Sequence, residues 1–417
     1  MLLILKGNII SAVEYGKLDI IEGGYLVSED GVILGTYKDL PKEYENEKIE
    51  DYGNMLIMQS FSDMHLHAPQ YPMLGMGMDL ELIDWLNTYT FPLEAKFKDN
   101  EFARGVYHEL AKKLIENGTT RVAMFSSLHK EATLILMEEL EKAGICGYVG
   151  KVNMDRNSSD ELKETTDESI SETLDWIKKS NFKHIKPIIT PRFTPSCTNE
   201  LMMKLGQIAK EYNLPVQSHL SENLGEIAWV KELHPDTLDY YESYLKYGLW
   251  NNKTLMAHCV HSSQKEQKSI LKNGVYVVHC PASNQNLMSG FSPVKKMIEK
   301  GINVVLGSDI AGGDYLSMFD NVAAAIRASK ARNILDKWDT GFLTVSEAFY
   351  LATSASNKFF DEKPGFAKGN KLHCLVLDDS KLISGKKLSI KERFERAIYI
   401  REDNAIKAVY SEGRKVL

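Results

Sequence analysis

Two histidines one residue apart stand directly behind a carboxylate in SFSDMHLHAPQYP, residues 60–72. In a strand, residues i and i+2 point to the same face, so His65 and His67 project side by side. Such a pair alone fits an ordinary strand as well as a metal site. Imidazole is the commonest metal ligand, so the question is whether other strands supply the remaining donors. They do: His219 in QSHLSEN, His258 in LMAHCVH and Asp309 in LGSDIAGG each fall at or just beyond the end of an apolar run. His65, His67, His219 and Asp309 make an N3O donor set for one divalent ion, with a position left for water.

An ion held in this way brings the pKa of its bound water from 15.7 to about 7, and a carboxylate must then carry protons to the leaving group. Glu222, three residues after His219, fits that shuttle. These residues point to metal-assisted hydrolysis of a C–N or C–X bond. Each also has a plainer reading. His258 could be a satisfied core histidine, Asp309 could cap the next helix, and Glu222 could be a solvated loop carboxylate. His279 in VVHCPASN fits packing and function equally. His108, His129, His184, His234, His261 and His373 match no strand end as well and read as structural.

The donors need a frame that gathers distant strand ends. Short apolar strands alternate with amphipathic helical stretches through the middle of the chain, the signature of parallel βα repeats. Strands are expected at MLIMQSFSDMHLH, TTRVAMFSS, CGYVGKVNM, HIKPIITPRF, LPVQSHLSEN, TLMAHCVHSS, VYVVHCPASN and INVVLGSDI. Helices such as EFARGVYHELAKKLIENG, stopped by Gly118, and NELMMKLGQIAKEYN lie between them. Eight such units over residues 59–369 fit a (β/α)8 TIM barrel, whose strand C-termini converge on one face. The long connection after the first strand, APQYPMLGMGMDLELIDWLNTYTFPLEAKF, reads as core packing or as a substrate lid. Residues 1–58 and 370–417 share a different texture of short strands and Gly- or Asp-containing turns, and are expected to form one small β-sandwich domain from both ends of the chain.

Composition narrows the classes of function. The 417 residues are 43% hydrophobic and 26% charged with a formal net charge of -7, and the cations are scattered, which excludes a basic nucleic-acid footprint. MLLILKGNII is too short to span a membrane and lacks the flanks of a secretory signal; it reads as a strand. Five widely spaced cysteines with no CxxC pair suggest reduced thiols and a cytoplasmic location. HKE at 129–131 matches half of the zinc-deaminase signature H-x-E with P-C-x-x-C, but no PCxxC exists, so that fold is excluded.

DMHLH, SHLSEN, MAHC and GSDIAGG together resemble the amidohydrolase superfamily in its single-metal branch. HLHAPQYP, DWLNTYTFPLEAKF, TPRFTPSC, QSHLSEN and HCPASNQNL extend the resemblance over nearly the whole chain, toward the members that deaminate guanine. The resemblance implies hydrolysis of guanine to xanthine and ammonia, zinc as the usual metal, and a homodimer. The set of three histidines and one aspartate would also accept iron or manganese, and the charge and hydropathy give no expectation of a nucleic-acid or membrane partner. Carried over by position, His65, His67, His219 and Asp309 hold the metal. Glu222, His258 and Asp309 are the catalytic set, with Glu222 as proton shuttle and His258 orienting the attacking oxygen. Gln70, Arg192 and Phe193 grip the purine, with His219 and His258 also facing it. One departure is Gln59-Ser60, where the superfamily often has Pro-Gly. No strand-end lysine suits a carbamylated bridge, which disfavours the two-metal branches. The alternatives are a related deaminase or chlorohydrolase acting on a triazine, a pyrimidine or another purine, differing at Gln70 and Arg192, and a non-catalytic barrel, in which some ligand should have been lost.

Overall fold

A computed structural model describes all 417 residues. The chain opens with β1 (Leu2–Glu14), β2 (Lys17–Glu29), β3 (Val32–Tyr37) and β4 (Ile49–Gln59). Eight staves follow: β5 (Phe61–His67); β6 (Thr119–Phe125); β7 (Cys146–Gly150) continued by β8 (Val152–Asn153); β9 (Ile185–Pro187) continued by β10 (Thr190–Pro191); β11 (Val216–Leu220); β12 (Thr254–His258); β13 (Tyr276–His279); and β14 (Asn303–Leu306). The chain closes with β15 (Cys374–Leu377), β16 (Ile406–Ser411) and β17 (Arg414–Lys415).

The staves pair in parallel, β5-β6-β7-β9 in one ladder and β11-β12-β13-β14 in another, with an isolated bridge between Ile189 and Val216 joining the two. This is the expected (β/α)8 architecture with interrupted ladders. The fourth stave carries Pro187 and Pro191, which have no N–H to donate, and its pairing breaks between them at Ile188 and Ile189. The helix Asn100–Glu116 starts at Asp99, whose carboxylate accepts from the Glu101 and Phe102 amides, and ends before Gly118 at φ +77°. A Cβ on Gly118 would come within 2.5 Å of Leu375, so glycine is needed there for contact as well as conformation.

One expected strand, residues 55–67, is two strands in two sheets. β4 ends at Gln59 in the terminal sheet and β5 begins at Phe61 in the barrel. Ser60 is the hand-over, its amide donating to the His373 carbonyl at 3.2 Å and its hydroxyl meeting Thr120 Oγ1 at 2.6 Å. The joint is not visible as a change in burial, because residues 56–67 are buried on both sides of it.

The terminal strands form one seven-stranded sheet ordered β17-β16-β15-β4-β1-β2-β3. Period-two alternation divides its side chains. Leu56, Met58, Leu375 and Leu377 join the barrel core, whereas Ile57, Cys374 and Val376 join a separate core with Leu5, Ile33 and Tyr410. Val32, at the β3 edge, bridges Lys371 just before β15, so the sheet curls over its own core. Both layers of the expected sandwich thus come from one continuous ladder. Deleting residues 378–417 removes β16, β17 and the helix Ile390–Tyr399 with its buried Phe394, and leaves β15 with an open edge. The truncated protein should be insoluble, since an unpaired apolar edge templates aggregation. Recovery of soluble, active truncate would count against this dependence. No helix is long and apolar enough to cross a membrane.

Candidate active site

Strand register brings the donors to one rim. His67 pairs across to Phe125, Leu220 to His258, and His279 to Leu306, so the C-terminal ends of six staves finish level. The last and first staves meet here without a ladder. The Asp309 amide donates to the His65 carbonyl at 2.8 Å, and Asp63 clamps Ser308 by its amide at 2.9 Å and its hydroxyl at 2.5 Å. Gly307 permits this closeness, because a Cβ there would lie 2.8–2.9 Å from His65 backbone and Cβ atoms. Ser221, His258 and Asp309 leave their strands in left-handed backbone, φ 48°, 73° and 50°, which turns side chains over the barrel mouth. Such residues cost of order 1–3 kcal/mol each and concentrate at functional sites.

Four of the expected donors converge. His65 Nε2 lies 3.2 Å and His67 Nε2 3.5 Å from Asp309 Oδ1, and His67 Nε2 faces His219 Nε2 at 3.1 Å. His219 donates its Nδ1 proton to the Arg192 carbonyl at 2.6 Å, so its Nε2 carries a lone pair turned to the centre. His65 Nε2 is buried with no hydrogen-bond partner. Burial holds the His65 imidazole below its ordinary pKa; burial and the neighbouring His65 hold His67 and His219 well below theirs. Burial disfavours the Asp309 carboxylate, but the surrounding imidazoles outweigh it and keep the group ionised. Three imidazole nitrogens converging on one buried carboxylate fit a divalent cation. Cys280 approaches the same group, but burial keeps its thiol protonated and it donates to the Val278 carbonyl.

Glu222 and His258 stand beside this cluster. Glu222 Oε2 lies 3.4 Å from His258 Nε2, which is 3.7 Å from Asp309 Oδ2. Burial pushes the Glu222 carboxyl up to about 7. For His258, burial opposes the charged form, but Glu222, Asp309 and Asn284 outweigh it and its pKa is raised; Nδ1 donates to Asn284 Oδ1 at 2.9 Å. His279 is buried with both ring nitrogens unpartnered and is held neutral by burial, its pKa near 3.

A cavity of about 450 Å³, including its open mouth, lies over these groups. Its walls include Leu82, Trp85 and Leu86 from the connection after β5, Leu287, and Phe193, whose ring stands 6.1 Å from Trp229. That connection is therefore part of the site's wall, built around a small apolar cluster of its own. Gln70 and Arg192 complete the rim, and both contact Glu94: Arg192 Nη1 and Nη2 at 2.5 and 3.1 Å, Gln70 Nε2 at 2.9 Å. Glu94 lies within TFPLEAKF with nothing in the sequence to mark it as part of the site; the same holds for Ser289, which donates to Glu222 Oε1 at 3.1 Å, and Glu226, which accepts the Glu222 amide at 2.9 Å.

A second His/Cys/Glu group, Cys146, His373 and Glu412, lies away from this site, and each member is partnered by a residue outside the group. Glu412 pairs with His184 at 3.0 Å, His373 with Thr120 at 3.1 Å, and Cys146 Sγ with Ser411 Oγ at 3.6 Å. It presents no unused donor comparable to His65 Nε2.

Residues 56–416 match the description "Amidohydrolase family", and the chain belongs to that family of metal-dependent hydrolases. Its relatives are specific. It is 38% identical over 440 residues to a guanine deaminase of Dictyostelium discoideum, covering 99% of this chain and 98% of that one. It is 31% identical to the guanine deaminase of Escherichia coli (strain K12), covering 96% and 92%. Among solved structures, a guanine deaminase from C. acetobutylicum with guanine bound in its active site matches all of both chains at 47% identity and a TM-score of 0.98.

Proposed function

We propose that this chain hydrolyses guanine to xanthine and ammonia, using one divalent cation, zinc by preference, held by His65, His67, His219 and Asp309. The observation that supports it best is the convergence of the His65, His67 and His219 ring nitrogens beside the buried Asp309 carboxylate, beneath a cavity rimmed by Arg192 and Gln70. The full-length relative with guanine bound supports the substrate.

When bound, a divalent cation in such a site supplies a water molecule acidified to near neutrality. Glu222 takes one proton from the attacking water and passes it to the departing amine. A C–O bond forms as the C–N bond at the 2-position breaks, ammonia leaves, and the remaining hydroxyl proton ends on a ring nitrogen as the product takes its keto form. His258 steadies the attacking oxygen, its ring held by Asn284 on the other side. Leu82, Trp85, Leu86 and Phe193 exclude bulk water from the purine faces. The compartment is read as reducing and cytoplasmic, from five cysteines that are all buried and unpaired. Homodimerisation follows from the family resemblance and is checked by light scattering.

Metal-replete protein should release ammonia from guanine in preference to adenine, cytosine and triazines. Ammonia from one of those and none from guanine would replace this reading with a related deaminase or chlorohydrolase. Arg192 has only donors and suits the guanine carbonyl oxygen; opposite adenine's amine it would face another donor. Arg192→Ala should lower kcat/KM for guanine by about 10- to 100-fold, the cost of leaving a buried polar group unpaired, and leave metal content unchanged.

A further inference from the structure

We propose that Glu94 is a positioning residue for substrate recognition, locking Gln70 and Arg192 so that the cavity rim is set to receive the 6-oxygen of the purine. This deepens the guanine-hydrolysing reading and rests on it.

Glu94 is 1% exposed, in the helix Phe91–Ala95, and is not among the residues that line the cavity, so it acts through those that do. Its two oxygens take both terminal nitrogens of Arg192 in a fork, at 2.5 and 3.1 Å. The fork fixes the plane of the guanidinium and leaves three of its five N–H donors uncommitted. Phe91, on the same helix, covers the guanidinium at 5.2 Å from its ring centre. The second contact fixes an orientation that sequence leaves free. Gln70 Nε2 donates to Glu94 Oε1 at 2.9 Å while Gln70 Oε1 accepts the Ala311 amide at 3.2 Å. Reversing the amide would place oxygen against a carboxylate and NH2 against N–H, two mismatches in a buried place. Gln70 is therefore not a freely reversible donor or acceptor; Glu94 and Ala311 decide which end points where.

Glu94 also balances the Arg192 charge, which is buried to 3% exposure. An unpaired guanidinium there would draw in water or turn away from the cavity. A single carboxylate thus holds the two groups that meet the substrate, and it belongs to the connection after β5 rather than to a barrel strand.

The test compares guanine with 2-aminopurine, which carries the same 2-amino group and lacks the 6-oxygen. Wild type, Glu94→Gln, Glu94→Asp and Arg192→Ala are assayed for kcat/KM on both, with 2-aminopurine inhibition constants used where its turnover is too slow, and with metal content measured throughout. Glu94→Gln should lose about 10- to 100-fold on guanine and under about threefold on 2-aminopurine, at unchanged metal content, so that its guanine preference collapses toward that of Arg192→Ala. Glu94→Asp keeps the charge but shortens the reach, and should lie between; it carries the comparison if the glutamine variant fails to fold. Equal losses on both substrates, or an unchanged ratio, would overturn the positioning role while leaving guanine hydrolysis standing. Wild-type protein inactive on guanine would remove the underlying reading, and this one with it.

Discussion

Glu222→Gln is expected to keep its cation and lose turnover by roughly 10²–10⁴-fold, the usual contribution of a positioned acid–base group. The substitution preserves shape: glutamine can still accept from Ser289, which lies 3.1 Å from Glu222 Oε1, and the backbone stays tied to Glu226. What it removes is a group able to bind and release a proton near neutrality. Burial pushes the Glu222 carboxyl up to about 7, and a cation nearby draws it lower by favouring the charged form. The sign follows. The carboxylate accepts the water proton, so kcat/KM of the wild type should fall as pH drops through a limb at or below about 7. The small residual activity of Glu222→Gln should lack that limb. Near-normal turnover, or the same acid limb in the variant, would assign the shuttle to another residue.

The candidate metal ligands and shuttle were legible in the sequence because strand ends are. Residues 65, 67, 219, 258 and 309 each close an apolar run, and a parallel barrel brings such positions to one rim whatever their separation in the chain. The groups that hold them were not legible. Glu94 contacts Arg192 across 98 residues and Ser289 reaches Glu222 across 67; neither falls at a strand end or in a periodic pattern that announces the pairing. A buried carboxylate in a helical turn reads from sequence as an exposed one, and only the tertiary contact changes its meaning.

The fold shows the same division. Alternation predicted terminal β-structure, but not that β4 and β5 belong to different sheets, because no turn residue separates them and the chain stays extended and buried across the joint at Ser60. Hydrophobic pattern reports burial, and both sheets bury this segment. The proline interruptions at Pro187 and Pro191 were written in the sequence and were smoothed over by reading HIKPIITPRF as one strand. The curl of the terminal ladder follows from contacts between Val32 and Lys371, which no local signal encodes.

Asp309→Ala and His65→Ala should each lose both bound cation and activity, the largest effect expected of any single change here. Asp309 is the one negative charge in the proposed donor set, and its Oδ1 lies within 3.5 Å of two of the three imidazoles. Without it the site offers neutral nitrogens alone in a buried pocket, and nothing offsets the charge of a divalent ion. His65 contributes differently: its Nε2 lies 3.2 Å from Asp309 Oδ1, and replacing it deletes one donor while leaving the carboxylate beside His67 and His258. The two variants should therefore diverge in stability. His65→Ala leaves a cavity and one fewer imidazole beside Asp309. Asp309→Ala strips a partner from imidazoles packed around it, and its apoprotein should unfold at the lower temperature. Elemental analysis of the wild type should give one divalent ion per chain, because the members of the second cluster around Cys146 are already taken up by Ser411, Thr120 and His184. A ligand that binds only the folded state raises its melting temperature by mass action, so chelator should lower the Tm of wild type and leave both variants where they are. An active wild type without metal, or an Asp309→Ala protein retaining one ion per chain and its response to chelator, would refute the assignment.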